Sequence, residues 1–403
     1  MISVYLHIPF CEVKCGYCDF YSLPRGHEDW DLQGEYVEGL LQEIRSRCSG
    51  LGKRRLKTLF LGGGTPSLLH PSLLEKILKG LTEFFDYSST TEITFEANPG
   101  TVGEEKLRDF RSLGMNRISF GIQSFQDRFL KVLGRYHRGQ DSLRAVQEAR
   151  AAGFENINID LIFGLPGQSM ADWREDLKIA ASLETPHLSA YNLTIEEGTP
   201  FAKLYPIKSP PLMGGDEGEG GPRITLSPTL PHRGGGDKGD LPSEEDQVRM
   251  FQETREFLAE KGLQAYEISN FARPGSECRH NLNYWEYGEY LGFGVSAASF
   301  INRQRRTNVR DLKLYLAGEW EGSTETISPQ QAIGEFLFLG LRLQEGILKK
   351  RFESLFQRGV EEVYPDLLKK WVAQGLLSST EERLVLTPKG VLFANEVFVD
   401  FLP

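Results

Sequence analysis

Cysteine is scarce in this sequence, five in 403 residues, and three of the five crowd into positions 11 to 18 while Cys48 and Cys278 stand alone. So few, so unevenly spread, exclude a disulfide framework and suit metal ligation in a reducing compartment. Long apolar runs are missing too: nothing nears the roughly 18 to 20 uninterrupted apolar residues of a membrane span. The first residues, MISVYLHIPF, lack a basic n-region, an apolar h-region and a small-residue cleavage site, so a cytoplasmic protein is expected. Positive charge is in deficit, with 46 Lys and Arg against 56 Asp and Glu and a formal net charge of −10. That balance argues against a chain whose main task is neutralising nucleic-acid phosphate. The rest is ordinary globular material, 40% hydrophobic and long enough for two or three domains.

Short β-branched runs alternate with helical patterns through the first two hundred residues, which predicts βα units around a parallel sheet. The strands are expected near Ser3–Ile8, Thr58–Leu61, Glu92–Glu96, Arg117–Gly121, Asn156–Phe163 and His187–Asn192. The fold class is therefore α/β, a partial (β/α)6 barrel over residues 1–205. Residues 206–242 break the pattern, because 9 Gly and 7 Pro in 37 positions mark low-complexity sequence. The expectation there is a disordered surface insertion, with His232 solvated. Ser243 then caps an acidic-started helix through Leu258 that ends at Gly262. Residues 243–327 form a region flanking the barrel. From Ser328, the run SPQQAIGEFLFLGLRL supplies an N-cap, a first-turn proline and an apolar face, and residues 328–403 suit a small α+β domain of winged-helix character.

Cys11, Cys15 and Cys18 form a C-x3-C-x2-C array directly after the first strand, with Tyr17 before the last cysteine. Three thiolates on one loop suit three irons of a cubane cluster and leave the fourth iron without a protein ligand. A structural zinc site wants four closed ligands, commonly in paired C-x2-C spacings, and no second pair exists. Polar or glycine-rich residues recur at the other strand ends: LGGGTPS with Gly62, Gly63 and Gly64, Glu96 in FEANPG, Gln123 and Ser124 in GIQSF, and Asp160 in DLIFGLPGQ. The glycines let backbone groups approach a ligand's amine and carboxylate closely. Each of these residues alone is more often a cap or turn, but several at one C-terminal rim form a site, as βα barrels place theirs.

With these motifs the sequence resembles the radical S-adenosylmethionine (SAM) superfamily, in the branch of oxygen-independent coproporphyrinogen oxidases and their relatives. The resemblance implies a [4Fe-4S] cluster on Cys11, Cys15 and Cys18. It also implies SAM contacts from Tyr5, Tyr17, Gly63, Gly64, Thr65, Glu96, Gln123, Arg135 and Asp160. On physical grounds alone Arg135, an arginine after a helix, is more often a solvated charge. The chemistry implied is reductive cleavage of SAM, in which the cofactors do the hard step and the protein orients and excludes water; no residue is singled out as catalytic.

Two departures separate the chain from the true oxidases, which resemble C-x3-C-x2-C-x-C and extend well before the cysteines. Phe20 stands at the place of the fourth cysteine, and ten residues precede Cys11. Both features are instead similar to the haem chaperone (HemW-like) family, as is His280-Asn281-Leu282-Asn283-Tyr284-Trp285, which matches that family's HNxxYW motif. An imidazole is a competent axial ligand for haem iron, and Tyr284 and Trp285 offer stacking surface. Without the resemblance, a lone histidine beside aromatics is usually a satisfied half-buried residue. Cys278 is more often a small buried hydrophobe than a thiolate ligand, and His7 a hydrogen-bonding residue of the first strand.

The function implied is a haem chaperone carrying the cluster, SAM and haem, with oxygen-independent oxidation of coproporphyrinogen III as the enzymatic alternative. Its partners would be haem and an acceptor apoprotein, membrane-associated acceptors included, with an electron donor of the flavodoxin or ferredoxin kind. Aromatics in exposed patterns are compatible with a homodimer without demanding one. Nucleic acid is not expected, since acidic neighbours such as Glu353, Glu361, Glu362 and Asp366 dilute the candidate footprint of Lys349, Lys350, Arg351, Lys369 and Lys370.

Overall fold

The computed structural model describes residues 1–50, 52–206 and 239–403, so the expectation of disorder over 206–242 lies almost wholly outside the described residues. Six parallel strands, β1 (Ile2–Ile8), β2 (Arg54–Gly63), β3 (Glu92–Ala97), β4 (Arg117–Gln123), β5 (Asn156–Phe163) and β6 (His187–Asn192), run side by side in chain order. Helices join them: α1 (Gln33–Cys48), α2 (Pro71–Leu81), α3 (Glu104–Ser112), α4 (Asp127–Leu133), α5 (Gly139–Ala151) and α6 (Met170–Ser182). Among the described residues the sheet counts thirteen strands and stays open rather than closing on itself.

The sheet grows at both ends from the region flanking the predicted barrel. Beyond β6 lies antiparallel β7 (Asn270–Ala272), and beside β1 lies a seventh parallel strand, β8 (Tyr290–Phe293). Antiparallel strands β9 (Ala298–Ile301), β10 (Gln304–Asn308) and β11 (Glu321–Thr326) continue from β8. With β2 on one edge and β8 on the other, all seven residues of β1 are buried. The helix expected after Ser243 is α7 (Glu244–Glu260), capped where Ser243 accepts from Asp246 N. Trp173 of α6 anchors it by donating its ring N–H to Thr254 Oγ1 at 2.8 Å.

Strand geometry divides the sheet into two chemistries, because alternate side chains point to opposite faces. In β4, Ile118, Phe120 and Ile122 are buried in the main hydrophobic core, whereas Arg117, Ser119, Gly121 and Gln123 line a cavity. In β5, Ile157, Ile159 and Leu161 join that core while Asn158 and Asp160 line the cavity, and β6 repeats the division with Leu188 and Ala190 against Ser189 and Tyr191. One face of the sheet is hydrocarbon and the other is a polar hollow.

The C-terminal part begins with α9 (Pro329–Gly340), where Ser328 and Gln331 form a capping box; α8 (Arg279–Trp285) precedes it. Helix α10 (Pro365–Ala373) and the hairpin β12 (Leu377–Ser379) with β13 (Arg383–Leu386) complete a helix-and-wing arrangement. Three of its basic residues are tied to acids or carbonyls: Lys349 to Glu361, Lys370 to Asp400, and Arg351 to the Glu286 carbonyl. No helix among the described residues is long and apolar enough to cross a membrane.

Candidate functional site

The cavity, about 390 Å³, opens where the parallel strands end. Chain direction brings Cys11 there immediately after β1. Cys11 and Cys15 are buried, Cys18 is half-buried, and all three line the cavity. The loop that carries them is held from both sides: Gly16 N donates to Leu133 O of α4, and Phe201 N donates to Gly16 O. His7 braces its far end, its Nε2 meeting Tyr21 O at 2.8 Å while Nδ1 meets Tyr5 OH at 3.1 Å. Both its ring nitrogens are thus engaged in positioning.

A chain of contacts links two of the cysteines through the strand ends. Cys11 Sγ lies 3.4 Å from Thr65 Oγ1, which accepts from Asn98 Nδ2 at 2.9 Å. Asn98 Oδ1 accepts from Arg135 Nη2, and Arg135 Nη1 reaches Cys15 Sγ at 3.5 Å. Arg135 is therefore no solvated surface charge. It leaves α4 through Gly134 in the left-handed conformation and turns inward, donating also to Gly121 O. Tyr17 and Cys15 beside it favour its charged form despite burial. Burial raises Tyr17 well above the ordinary phenol range and raises the Cys11 thiol as well.

Gly63 and Gly64 are required for a second reason beside the approach to a ligand expected from the sequence. A Cβ on Gly63, whose φ is +103°, would lie 2.2 Å from the His7 ring, and one on Gly64 would lie 2.7 Å from Phe10 O. Their close approach is to the cysteine strand of the protein itself, sealed by Gly64 N to Ile8 O and Thr65 N to Phe10 O. Both glycines also line the cavity.

Gln123 ends β4 with φ of +68°, at a shift in the register between β4 and β5. Its Oε1 is buried without a hydrogen-bond partner among the described residues, an acceptor facing a ligand's space. Asp160 accepts from Ser119 Oγ at 2.9 Å and Asn158 Nδ2 at 2.8 Å, while burial raises its pKa. Glu96 and Tyr5 line the same hollow. The donor set suits a cluster with an amino-acid ligand: thiols on one loop, a buried guanidinium, and an unmet acceptor beside them. Among the described residues no three His, Cys, Asp or Glu side chains converge as a single metal ion requires, and cysteines that each hold a different iron need not do so.

His280 lies toward the starts of the strands and lines the same cavity. Its ring stacks on Phe60 with centroids 5.0 Å apart, Nδ1 meets Thr58 Oγ1 at 2.7 Å, and Nε2 meets Tyr284 OH at 2.9 Å. Desolvation pushes its pKa down to about 3, so the imidazole is neutral at ordinary pH. Cys278, beside it, is fully buried with its thiol pushed up to about 12. Glu92 receives the backbone N–H of both Arg279 and His280 and so fixes the start of α8.

Sequence reasoning missed Asn98, Arg117, Ser119, Asn158 and Arg342, all lining the cavity. The alternation R-S-G-Q against I-F-I in RISFGIQ carries the signal for two of them. Arg342 has none, since it reaches the hollow from beyond α9.

Comparison with known proteins follows this geometry. The Radical SAM superfamily matches residues 5–180, and the HemN C-terminal domain matches residues 327–393. The chain is 36% identical to heme chaperone HemW of Bacillus subtilis, across 100% of this chain and 99% of that protein. It is 34% identical to heme chaperone HemW of Escherichia coli, across 100% and 98%. The structure of coproporphyrinogen III oxidase (HemN) from Escherichia coli superposes with a TM-score of 0.81 at 25% identity, covering 99% of this chain and 89% of that one.

Proposed function

Since the chain belongs to the heme chaperone HemW family and carries the Radical SAM domain, we propose that it binds haem and passes it to an acceptor protein, carrying a [4Fe-4S] cluster and SAM. The observation that supports this most is the single cavity with the three cysteines at one end and the His280–Tyr284–Trp285 aromatics at the other. Cys11, Cys15 and Cys18 would hold the cluster. Tyr5, Tyr17, Gly63, Gly64, Thr65, Glu96, Gln123, Arg135 and Asp160 would hold SAM. When bound, these groups supply one-electron chemistry. The chain's own contribution is to orient: Arg135 presents positive charge beside the cysteines, and Gln123 offers its unmet oxygen to an amine or hydroxyl.

His280 would ligate haem iron as a neutral imidazole. Nε2 must first release Tyr284 OH, while the Nδ1 contact to Thr58 keeps the ring oriented. The acceptor is proposed as an apoprotein, membrane-associated ones included, and the setting as the cytoplasm. A flavodoxin or ferredoxin would be the electron donor, and a homodimer is compatible with the reading. The full-length likeness to the oxidase structure favours a second reading, oxygen-independent oxidation of coproporphyrinogen III, against which stands Phe20 in the cavity wall.

The test is an anaerobic haem titration of reconstituted wild type and His280→Ala by visible absorption, with coproporphyrinogen III turnover assayed on the same samples. Stoichiometric haem binding, weakened by the substitution and without turnover, is expected. Turnover with no specific haem binding would overturn the chaperone reading in favour of the oxidase.

A further inference from the structure

The unmet hydrogen-bonding atoms of the cavity differ between its two ends. Near the cysteines they are mixed: Gln123 Oε1 and Asn192 Oδ1 accept, and Arg135 Nε donates. Such a mixture suits a zwitterion. Away from them, Arg117 Nε, Trp285 Nε1, and Arg342 Nε and Nη1 lack partners among the described residues, and every one of these is a donor. Arg117 and Arg342 are 2% exposed and Trp285 6%, and all three line the cavity.

The neighbouring carboxylates do not absorb this demand. Glu267 meets Arg342 Nη2 only at 3.4 Å, and its other oxygen accepts from Ser269 N and Asn270 Nδ2, each at 2.7 Å. Glu92 is engaged by the backbone of Arg279 and His280, and Asp160 by Ser119 and Asn158. The Arg342 guanidinium lies over the Trp285 ring, 4.4 Å from its centroid. One flat face is thereby covered, while Nε and Nη1, on different edges of the guanidinium, each keep an in-plane N–H for a carboxylate oxygen. Buried donors without an acceptor are costly, and an anionic acceptor offsets most in a low dielectric.

We propose that Arg342, Trp285 and Arg117 form a carboxylate subsite at this end of the cavity, taking the propionate-type side chain of a tetrapyrrole. The subsite rests on the haem reading above and adds to it the group by which the ligand is oriented. Phe60 and Tyr284 between the two ends give the apolar wall that a macrocycle edge needs. An inorganic anion would gain nothing from that wall. On the reading above, the methionine carboxylate of SAM would sit at the cysteine end, so a second carboxylate would come from another molecule.

The test compares haem with its dimethyl ester, in which both carboxylates are masked, titrated anaerobically into reconstituted wild type, Arg342→Gln and Trp285→Phe. Wild type is expected to bind haem roughly 10- to 100-fold more tightly than the ester, the span for hydrogen bonds to a charged group. Arg342→Gln should bring that ratio toward one by weakening haem alone. Trp285→Phe keeps the stacked ring and removes one N–H, so a loss of about fivefold for haem and none for the ester is expected. Equal affinities of wild type for haem and ester, or variants that weaken both alike, would overturn the subsite while leaving the haem reading intact. Wild type that binds neither compound would overturn the haem reading, and the subsite with it.

Discussion

Asn98 is the residue through which the strand ends speak to the cysteine loop. Its amide donates to Thr65 and accepts from Arg135, and those two contact Cys11 and Cys15. On the proposed cluster assignment, replacing Cys11, Cys15 or Cys18 by Ser is expected to abolish the brown absorption of the reconstituted protein. Asn98→Ala should be milder. It removes one hydrogen bond on each side, each worth about 1 kcal/mol, and leaves all three thiols in place. The cluster is expected to assemble in that variant and to bleach roughly 5- to 30-fold faster in air, read as the decay of visible absorbance. Bleaching at the wild-type rate would mean that Thr65 and Arg135 hold position without it.

At the scale of elements, glycine placement decides how β2 meets β1. Gly63→Ala would drive a methyl group into His7 at a left-handed backbone position, and Gly64→Ala would drive one into the Pro9–Phe10 backbone that leads to Cys11. Each is expected to cost more than about 2 kcal/mol, the range for a clash that nothing nearby can relieve, and to lower Tm accordingly. Gly34→Ala, in the first turn of α1 with nothing within 4 Å, should be neutral or slightly stabilising by the same melt. The sequence makes a triple glycine visible without saying what it approaches. Strand positions were legible because β-branched runs end at polar residues, and β5 and β6 coincide with their predicted bounds. The β9–β11 meander was not legible. All six residues of β11, EGSTET, are exposed, and an edge strand without an apolar face gives no periodic signal. The burial of Arg135 was illegible for a related reason: it depends on Asn98 after β3 and Gly121 of β4, partners that local sequence does not reveal.

For the whole molecule, buried histidines set the response to acid. His137 and His280 are held down to about 3 and His187 well below its ordinary 6.5, in each case chiefly by desolvation. Unfolding exposes them, so below pH 6.5 the unfolded chain binds more protons, and the stability they contribute is lost as pH falls toward 3. Asp176 and Asp160 act oppositely: burial raises Asp176 from 3.8 to about 6 and raises Asp160 as well, so their share falls as pH rises through those intervals. Three groups outweigh two, and Tm of the cluster-free protein is expected to drop between pH 7 and pH 5. His187→Gln, at a side chain bonded to Asn158 and Tyr266, should flatten the drop. A Tm that rises on acidification would assign control to the two aspartates.

The seventh parallel strand has a consequence for how the protein is made. Strand β1 leaves the ribosome before the strands that flank it, and one of its edges waits for Tyr290–Phe293. At roughly 5 to 20 residues per second, that wait lasts about 15 to 60 s. Through it the cysteine loop hangs from a strand paired on one edge only, and Arg342 has still to be synthesised. On the proposed cluster assignment, iron would therefore meet a finished pocket only late in translation or after release, which ties cluster delivery to the last stage of making this chain.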